Sequence, residues 1–71
     1  MNYYERYYRY FLESSDEMRQ KSKAHWLEKH EENLKSGRED LIIFSASILA
    51  QICLAEKTLQ KKRFLIDEHP N

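Results

Sequence analysis

Residues 41–55, LIIFSASILAQICLA, decide the fold of this chain, because twelve of these fifteen residues are apolar whereas 34% of the whole chain is charged. Charged residues border the segment at 38–40 and at 56–57. As a helix the segment spans about 22 Å, which is shorter than the roughly 30 Å hydrocarbon core of a bilayer. The sequence therefore predicts a buried helix and no membrane span, and the function depends on what buries this helix.

The length and composition of the chain limit what it can build. Its 71 residues are near the size at which a single hydrophobic core is marginal without a metal, disulfides or a partner. The single cysteine, Cys53, cannot form an internal disulfide and is expected to be an unreactive small hydrophobe. Twelve basic and twelve acidic residues cancel, which argues against a strong field for nucleic acid. With no secretory signal pattern, we expect one small cytoplasmic domain over residues 1–71.

Only one interior position strongly interrupts helix formation. The chain has one glycine and one proline, and Gly37 lies near its middle. Ser36 and Glu39 beside it match a capping box, which indicates the start of a helix. The sequence therefore predicts an all-α fold, an antiparallel helical hairpin with its turn at Ser36–Gly37 and a second helix from about 38 to 66.

The first arm of the hairpin contains a weaker interruption. Ser14 and Glu17 form a second capping-box match, and residues 13–23 contain one apolar side chain. The first arm is therefore either one helix over residues 3–35 or a short aromatic helix followed by a longer polar one.

The second helix carries three apolar ridges when its residues are placed at about 100° intervals around the helix axis. The first arm is polar and can cover one ridge and part of another, so at least the third ridge is left uncovered. The first ridge contains Leu41, Phe44, Ile48, Ile52, Ala55 and Leu59, the second Ile42, Ala46, Leu49 and Cys53, and the third Ile43, Ala50 and Leu54. We expect Tyr8, Phe11 and Trp26 to complete an intrachain core with the first ridge.

The uncovered ridges predict a binding partner. Burying an Ile or Leu side chain contributes about 1.5–3 kcal/mol, so a working state that exposes several of them is unfavourable. The partner is either another protein or a second copy of this chain. The alternative is a chain that covers its own core, with residues 64–66 folded back.

The N-terminus is rich in aromatic residues, with five Tyr and one Phe in residues 3–12. Tyrosine is enriched at interface hot spots. Tyr3, Tyr7 and Tyr10 are predicted to point away from the intrachain face and to be available to a partner. Three interpretations are open: rings that wrap the helix end, a protein-docking segment, or a stacking surface for single-stranded nucleic acid.

No residue pattern indicates catalysis or a cofactor. His25 and His30 are about 140° apart around a helix axis, so they do not converge on a metal ion. The basic run at 61–63 falls at an expected helix C-terminus, where the helix dipole favours cations. There is no glycine-rich loop, and a two-helix chain leaves little room for an enclosed pocket. We therefore predict a protein that is not an enzyme, with no cofactor and no metal.

Residues 27–60, LEKHEENLKSGREDLIIFSASILAQICLAEKTLQ, place a polar helix, a glycine turn and an aliphatic helix in one order. In this outline and in length, the chain resembles the small YscE-like co-chaperones of bacterial type III secretion needle subunits. The aromatic run at 3–12 departs from that pattern.

The resemblance implies a cytoplasmic protein-transport and virulence function. A hairpin of this family binds a helical-repeat chaperone, and together they keep an aggregation-prone needle subunit soluble until export. In this chain the resemblance would make Ile42, Ile43, Leu49 and Leu54 partner-facing. It would make Leu41, Ile48, Ile52 and Leu59 the coiled-coil-like seam within the chain.

Two other functions fit the same sequence. The chain could be a homodimeric four-helix bundle that regulates RNA or DNA, as Rop-like hairpins do, and its affinity would then fall steeply with salt. It could also be a membrane-associated peptide that uses residues 41–55, and it would then partition into liposomes.

Overall fold

The computed structural model describes the backbone of residues 3–67 and the side chains of residues 3–62. Over this range the chain forms three helices, α1 (Tyr3–Glu13), α2 (Asp16–Ser36) and α3 (Glu39–Asp67), and no strand is present in it. The predicted all-α class is confirmed. Both α1 and α2 pack against α3.

The first arm is two helices, and the break between them lies at two consecutive serines. Ser15 is the N-cap of α2, with an extended backbone (φ −68°, ψ 161°) and a hydroxyl that accepts a hydrogen bond from the Met18 N–H at 3.2 Å. The predicted capping box is therefore wrong by one residue, since Ser14 belongs to the end of α1. Its hydroxyl donates to the Tyr10 carbonyl at 2.7 Å, a bond that competes with helix continuation.

Gly37 forms the turn between α2 and α3. Its backbone is left-handed (φ 74°, ψ 11°), and its N–H donates to the Asn33 carbonyl at 3.1 Å, a geometry that favours glycine. The prediction that Ser36 caps α3 is wrong, because Ser36 is the last residue of α2. Its hydroxyl donates backwards to the Asn33 carbonyl at 2.8 Å.

Contacts between α2 and α3 join residues on either side of this turn. Asn33 contacts Leu41, and His30, further back along α2, contacts Ser45, further along α3. Lys23, further back still along α2, contacts Glu56, further still along α3. As one partner moves back along α2, the other moves forward along α3, which is compatible with the predicted hairpin.

The core lies where α1 and α2 meet α3. Its buried apolar side chains are Phe11, Ile48, Ile52 and Ala55. Partly buried residues pack around them, namely Tyr4, Tyr7, Tyr8, Leu12, Trp26, Phe44 and Leu49. The aromatic helix α1 supplies Phe11, the largest fully buried side chain. It thereby provides apolar area that the polar helix α2 lacks.

Two positions differ from the packing predicted by the sequence. Leu41 is predicted in the core but is 37% exposed, because the part of α2 beside it is polar and Asn33 donates to its carbonyl. Tyr7 is predicted to point outward but packs against the core. The break after Ser14 lets α1 orient its own inward face independently of α2. Leu59, another predicted core residue, is half-buried.

Candidate interaction surface

The side of α3 opposite the core is apolar and open. We call it the outer face; it consists of Ile43, Ala46, Ala50, Cys53 and Leu54, all of them exposed. Ile43 is 62% exposed and Leu54 is 49% exposed, whereas Ile48 and Ile52 on the other side of the same helix are fully buried. The residues of the outer face recur at intervals of three and four, which places them along one side of the helix.

The outer face is open because the polar helix α2 packs on the opposite side of α3. The contact between these two helices contains several hydrogen bonds. Lys23 Nζ lies 3.0 Å from Glu56 Oε1. The Ser45 hydroxyl lies 3.0 Å from the Leu41 carbonyl and forms a hydrogen bond of 2.7 Å with His30 Nδ1. Each such bond contributes about 0.5–1.5 kcal/mol net, and none of them covers the aliphatic side chains on the outer face.

Opposite charges stand at the two ends of the outer face. Glu39 lies at the start of α3, one turn before Ile43, and Lys57 lies one turn after Cys53. Both side chains are exposed, and neither forms an ion pair with another side chain in residues 3–62. The face is therefore an apolar strip with an acidic end and a basic end.

The residues predicted to bind a partner do not all lie on this face. Ile43 and Leu54 do, but Ile42 is half-buried, and Leu49 is partly buried against the core. The reason is that Leu49 lies on the same side of α3 as Ser45 and Glu56, which bond to His30 and Lys23 of α2. The apolar area left exposed is therefore narrower than the sequence predicts and is centred on the third ridge.

A second exposed surface lies on α1. Tyr3, Arg6, Tyr7 and Tyr10 line an open, mostly apolar cavity of about 420 Å³. The rings of Tyr3 and Tyr7 pack edge to face with centroids 5.2 Å apart. The hydrogen bond with Tyr3, together with burial, raises the pKa of the Tyr7 phenol above its ordinary value. The three tyrosines predicted to be available to a partner thus share one groove, with Tyr7 also touching the core.

Arg19 is a structural residue that sequence reasoning misses. It is only 6% exposed, and its guanidinium donates to the Phe11 carbonyl at 2.9 Å and to the Ser14 carbonyl, while also pairing with Asp16. A cation at the C-terminus of α1 complements the helix dipole. In the sequence Arg19 stands in a polar stretch that resembles a solvated helix face, and the only hint is its place one turn after the paired serines.

The two histidines considered as metal ligands have different neighbours. His30 bonds to Ser45, whereas the ring of His25 lies edge-on to Trp26 with centroids 5.5 Å apart. Among the side chains of residues 3–62, no group of three or more His, Cys, Asp or Glu is placed to hold a metal ion.

The apolar helix also meets the length and composition expected of a membrane span. The part of α3 from Glu39 to Lys62 is long and apolar enough to cross a bilayer, and 22% of its apolar 18-residue stretch is buried inside the structure. Residues 41–55 alone are too short to span a bilayer, whereas α3 continues through 29 residues. Core helices of soluble proteins pass the same test. The length and composition of α3 therefore make a lipid bilayer, as well as another protein, a candidate contact of the outer face.

Comparison of the chain with protein families, characterised proteins and solved structures finds no match. The function is therefore argued from the exposed surfaces themselves.

Proposed function

We propose that this protein is a non-enzymatic interaction module, a hairpin of α2 and α3 braced by α1, which offers the outer face of α3 to another protein. The observation that carries this proposal is the exposure of Ile43 and Leu54 on a helix whose opposite side is closed. Neighbouring exposed aliphatic side chains mark interaction sites, and covering each contributes about 1.5–3 kcal/mol.

The outer face suits a helical partner. From Ile43 to Leu54 it extends about 16 Å along α3, roughly three helical turns. A partner helix with apolar residues at intervals of three and four would lie along such a strip. The face is shallow, and no charged residue stands between Asp40 and Glu56, so shape and apolar contact would dominate the binding.

In its most specific form, the proposal is a cytoplasmic co-chaperone that helps to keep a type III secretion needle subunit soluble, together with a helical-repeat chaperone. The resemblance over residues 27–60 supports this form, as does the open outer face, which such a chaperone would cover. The aromatic run at 3–12, which departs from the family pattern, contributes to the hydrophobic core of this chain. Its Phe11 and Tyr8 supply core that a two-helix hairpin would lack.

The test is co-expression with the needle subunit and the helical-repeat chaperone encoded in the same genome, followed by measurement of the soluble subunit. Leu54→Asp on the outer face has a matched control in Leu27→Asp on α2, because the two leucines are 49% and 51% exposed. We expect Leu54→Asp to weaken the complex at least about tenfold, the effect of losing about 1.4 kcal/mol. Leu27→Asp should leave it intact.

Other outcomes would redirect the proposal. Equal behaviour of the two variants, or a needle subunit that stays insoluble with the wild-type chain present, would contradict the co-chaperone function. If the wild-type chain instead floats with liposomes and Leu54→Asp abolishes the flotation, the outer face binds lipid. RNA or DNA binding that weakens steeply between low and moderate salt would favour the regulator.

A further inference from the structure

The outer face lies on a second heptad seam of α3, parallel to the seam that packs inside the chain. Its members stand at alternating steps of four and three residues, namely Glu39, Ile43, Ala46, Ala50, Cys53 and Lys57. This is the spacing with which two helices pack knobs into holes. All six side chains are exposed, so the seam is complete and unoccupied by the rest of the described chain.

We propose that a second copy of this chain occupies the outer face, with the two α3 helices antiparallel. In this register Glu39 lies opposite Lys57 of the partner subunit, Ile43 opposite Cys53 of the partner subunit, and Ala46 opposite Ala50 of the partner subunit. The inference rests on the proposed function, since both use the same face, and it names the occupant when no other protein is bound.

Charge decides the orientation. The two-fold symmetry of an antiparallel pair repeats the contact between Glu39 and Lys57 at both ends of the interface. A parallel pair would instead place Glu39 against its own counterpart and Lys57 against its own counterpart. Like charges at an interface disfavour the wrong arrangement, and both residues are free of competing ion pairs with other side chains in residues 3–62.

The shape of the seam agrees with this register. Ala46 and Ala50 lie at its centre and let the two helices approach closely, while Ile43 packs towards each end. From Glu39 to Lys57 the contact is about 27 Å long. A single helix pair of this length buries less area than a standard stable interface. The dimer is therefore weak, and a protein with a larger complementary surface displaces it.

Thiol cross-linking tests the register directly, because Cys53 is the only cysteine of the chain. In the antiparallel pair the two Cys53 residues are about 15 Å apart along the helix axis, too far for a disulfide. Ile43→Cys places a new thiol opposite Cys53 of the partner subunit. Under mild oxidation we expect this variant to become a covalent dimer, while the wild-type chain and the control Leu27→Cys stay monomeric on non-reducing gels.

Two results would overturn the register. Rapid disulfide formation by the wild-type chain would show a parallel pair, and an Ile43→Cys variant that does not cross-link would show that the faces do not meet. An intrachain bond cannot imitate the expected product, because positions 43 and 53 of one helix are about 15 Å apart.

Sedimentation at low salt tests the charge argument without introducing a thiol. Glu39→Lys and Lys57→Glu should each raise the dimer dissociation constant by about fivefold. Mixing the two variants, or combining both changes in one chain, should restore the wild-type value, because opposite charges then face each other again. Failure of the combined variant to recover would contradict the antiparallel pairing.

These results separate the dimer from the proposed function. If no dimer forms but Leu54→Asp still releases another protein, the self-association is wrong and the interaction module stands. If the dimer forms as described and the needle-subunit complex does not, the chain uses its outer face for itself.

Discussion

The two sides of α3 have the same spacing of residues and different surroundings. The inner side, at Ser45, Ile48, Ile52 and Ala55, is fully buried, whereas the outer face, at the same intervals, is exposed. Both are largely apolar, so hydrophobicity does not distinguish them. The difference lies in what the rest of the chain supplies: α1 gives aromatic cover to one side, and no other described helix reaches the other side. A ridge on a helix is therefore a core only where another element has apolar area to place against it.

The largest expected effect comes from placing the same charge on each side of α3. Ile52 is fully buried and Ile43 is 62% exposed, so Ile52→Asp and Ile43→Asp are matched in chemistry and differ in burial. A buried carboxylate without a partner costs several kcal/mol, which is comparable to the whole stability of a domain of this size. We expect Ile52→Asp to lose its helical circular-dichroism signal and Ile43→Asp to keep it. Loss of the signal in both variants would mean that the outer face is part of the folded core.

A smaller effect should follow from truncating a side chain of α1, which covers the inner side of α3, than from placing a charge on α3 itself. Phe11→Ala deletes the largest buried ring and should lower the free energy of unfolding by about 3–5 kcal/mol. Leu34→Ala, at an exposed aliphatic position on α2, is the control and should change it by about 0.5 kcal/mol or less. Urea titration compares the two. If Phe11→Ala is as stable as the control, α1 does not contribute to the core and α2 alone covers the inner side of α3.

The sequence predicts the helices and their main turn well because both depend on local chemistry. Gly37 is the single glycine of the chain and adopts a left-handed backbone without strain, and the apolar intervals in residues 41–55 are helical. The exact caps are less predictable, because Ser14 and Ser15 can each accept the same hydrogen bond. Ser45 was not expected to be buried, since a serine in an apolar run gives no sign that His30 will pair with it.

The candidate surface is predicted in part for a related reason. Periodicity shows that Ile43 and Leu54 lie opposite Ile48, so their exposure follows once the inner side is known. It does not show how far α1 reaches around α3, and this decides the partial burial of Tyr7. That reach depends on the corner between α1 and α2, which Arg19 holds through backbone carbonyls that no sequence pattern reveals.

The corner held by Arg19 can be tested by replacing its guanidinium with an apolar chain of similar length. Arg19→Met removes the donors to the Phe11 and Ser14 carbonyls and should cost about 1–3 kcal/mol. Lys21→Met, at an exposed position on the same helix, should be nearly neutral. Chemical denaturation gives both values. Equal stability of the two variants would show that α1 stays over the inner side without this residue.

The smallest expected effect concerns Tyr7, which lies at the boundary between the core and the exposed groove on α1. The hydrogen bond of Tyr7 with Tyr3 and, to a smaller extent, its burial raise the pKa of Tyr7 above the ordinary value of 10.0. The folded chain therefore holds this proton more tightly than the unfolded chain does. The resulting stabilisation is complete below pH 10.0 and is lost as the pH rises through the folded pKa.

Thermal unfolding from about pH 9 to pH 11 should accordingly show a steeper loss of stability for the wild-type chain than for Tyr7→Phe, which lacks the titrating phenol. Tyr3→Phe should reduce the loss as well, because it removes the hydrogen bond that contributes most to the raised pKa. Parallel curves for the wild-type chain and Tyr7→Phe would mean that Tyr7 is solvated in the folded state. The aromatic cover that α1 places over the inner side of α3 would then end at Phe11, and Tyr7 would belong with Tyr3 and Tyr10 to the surface open to a partner.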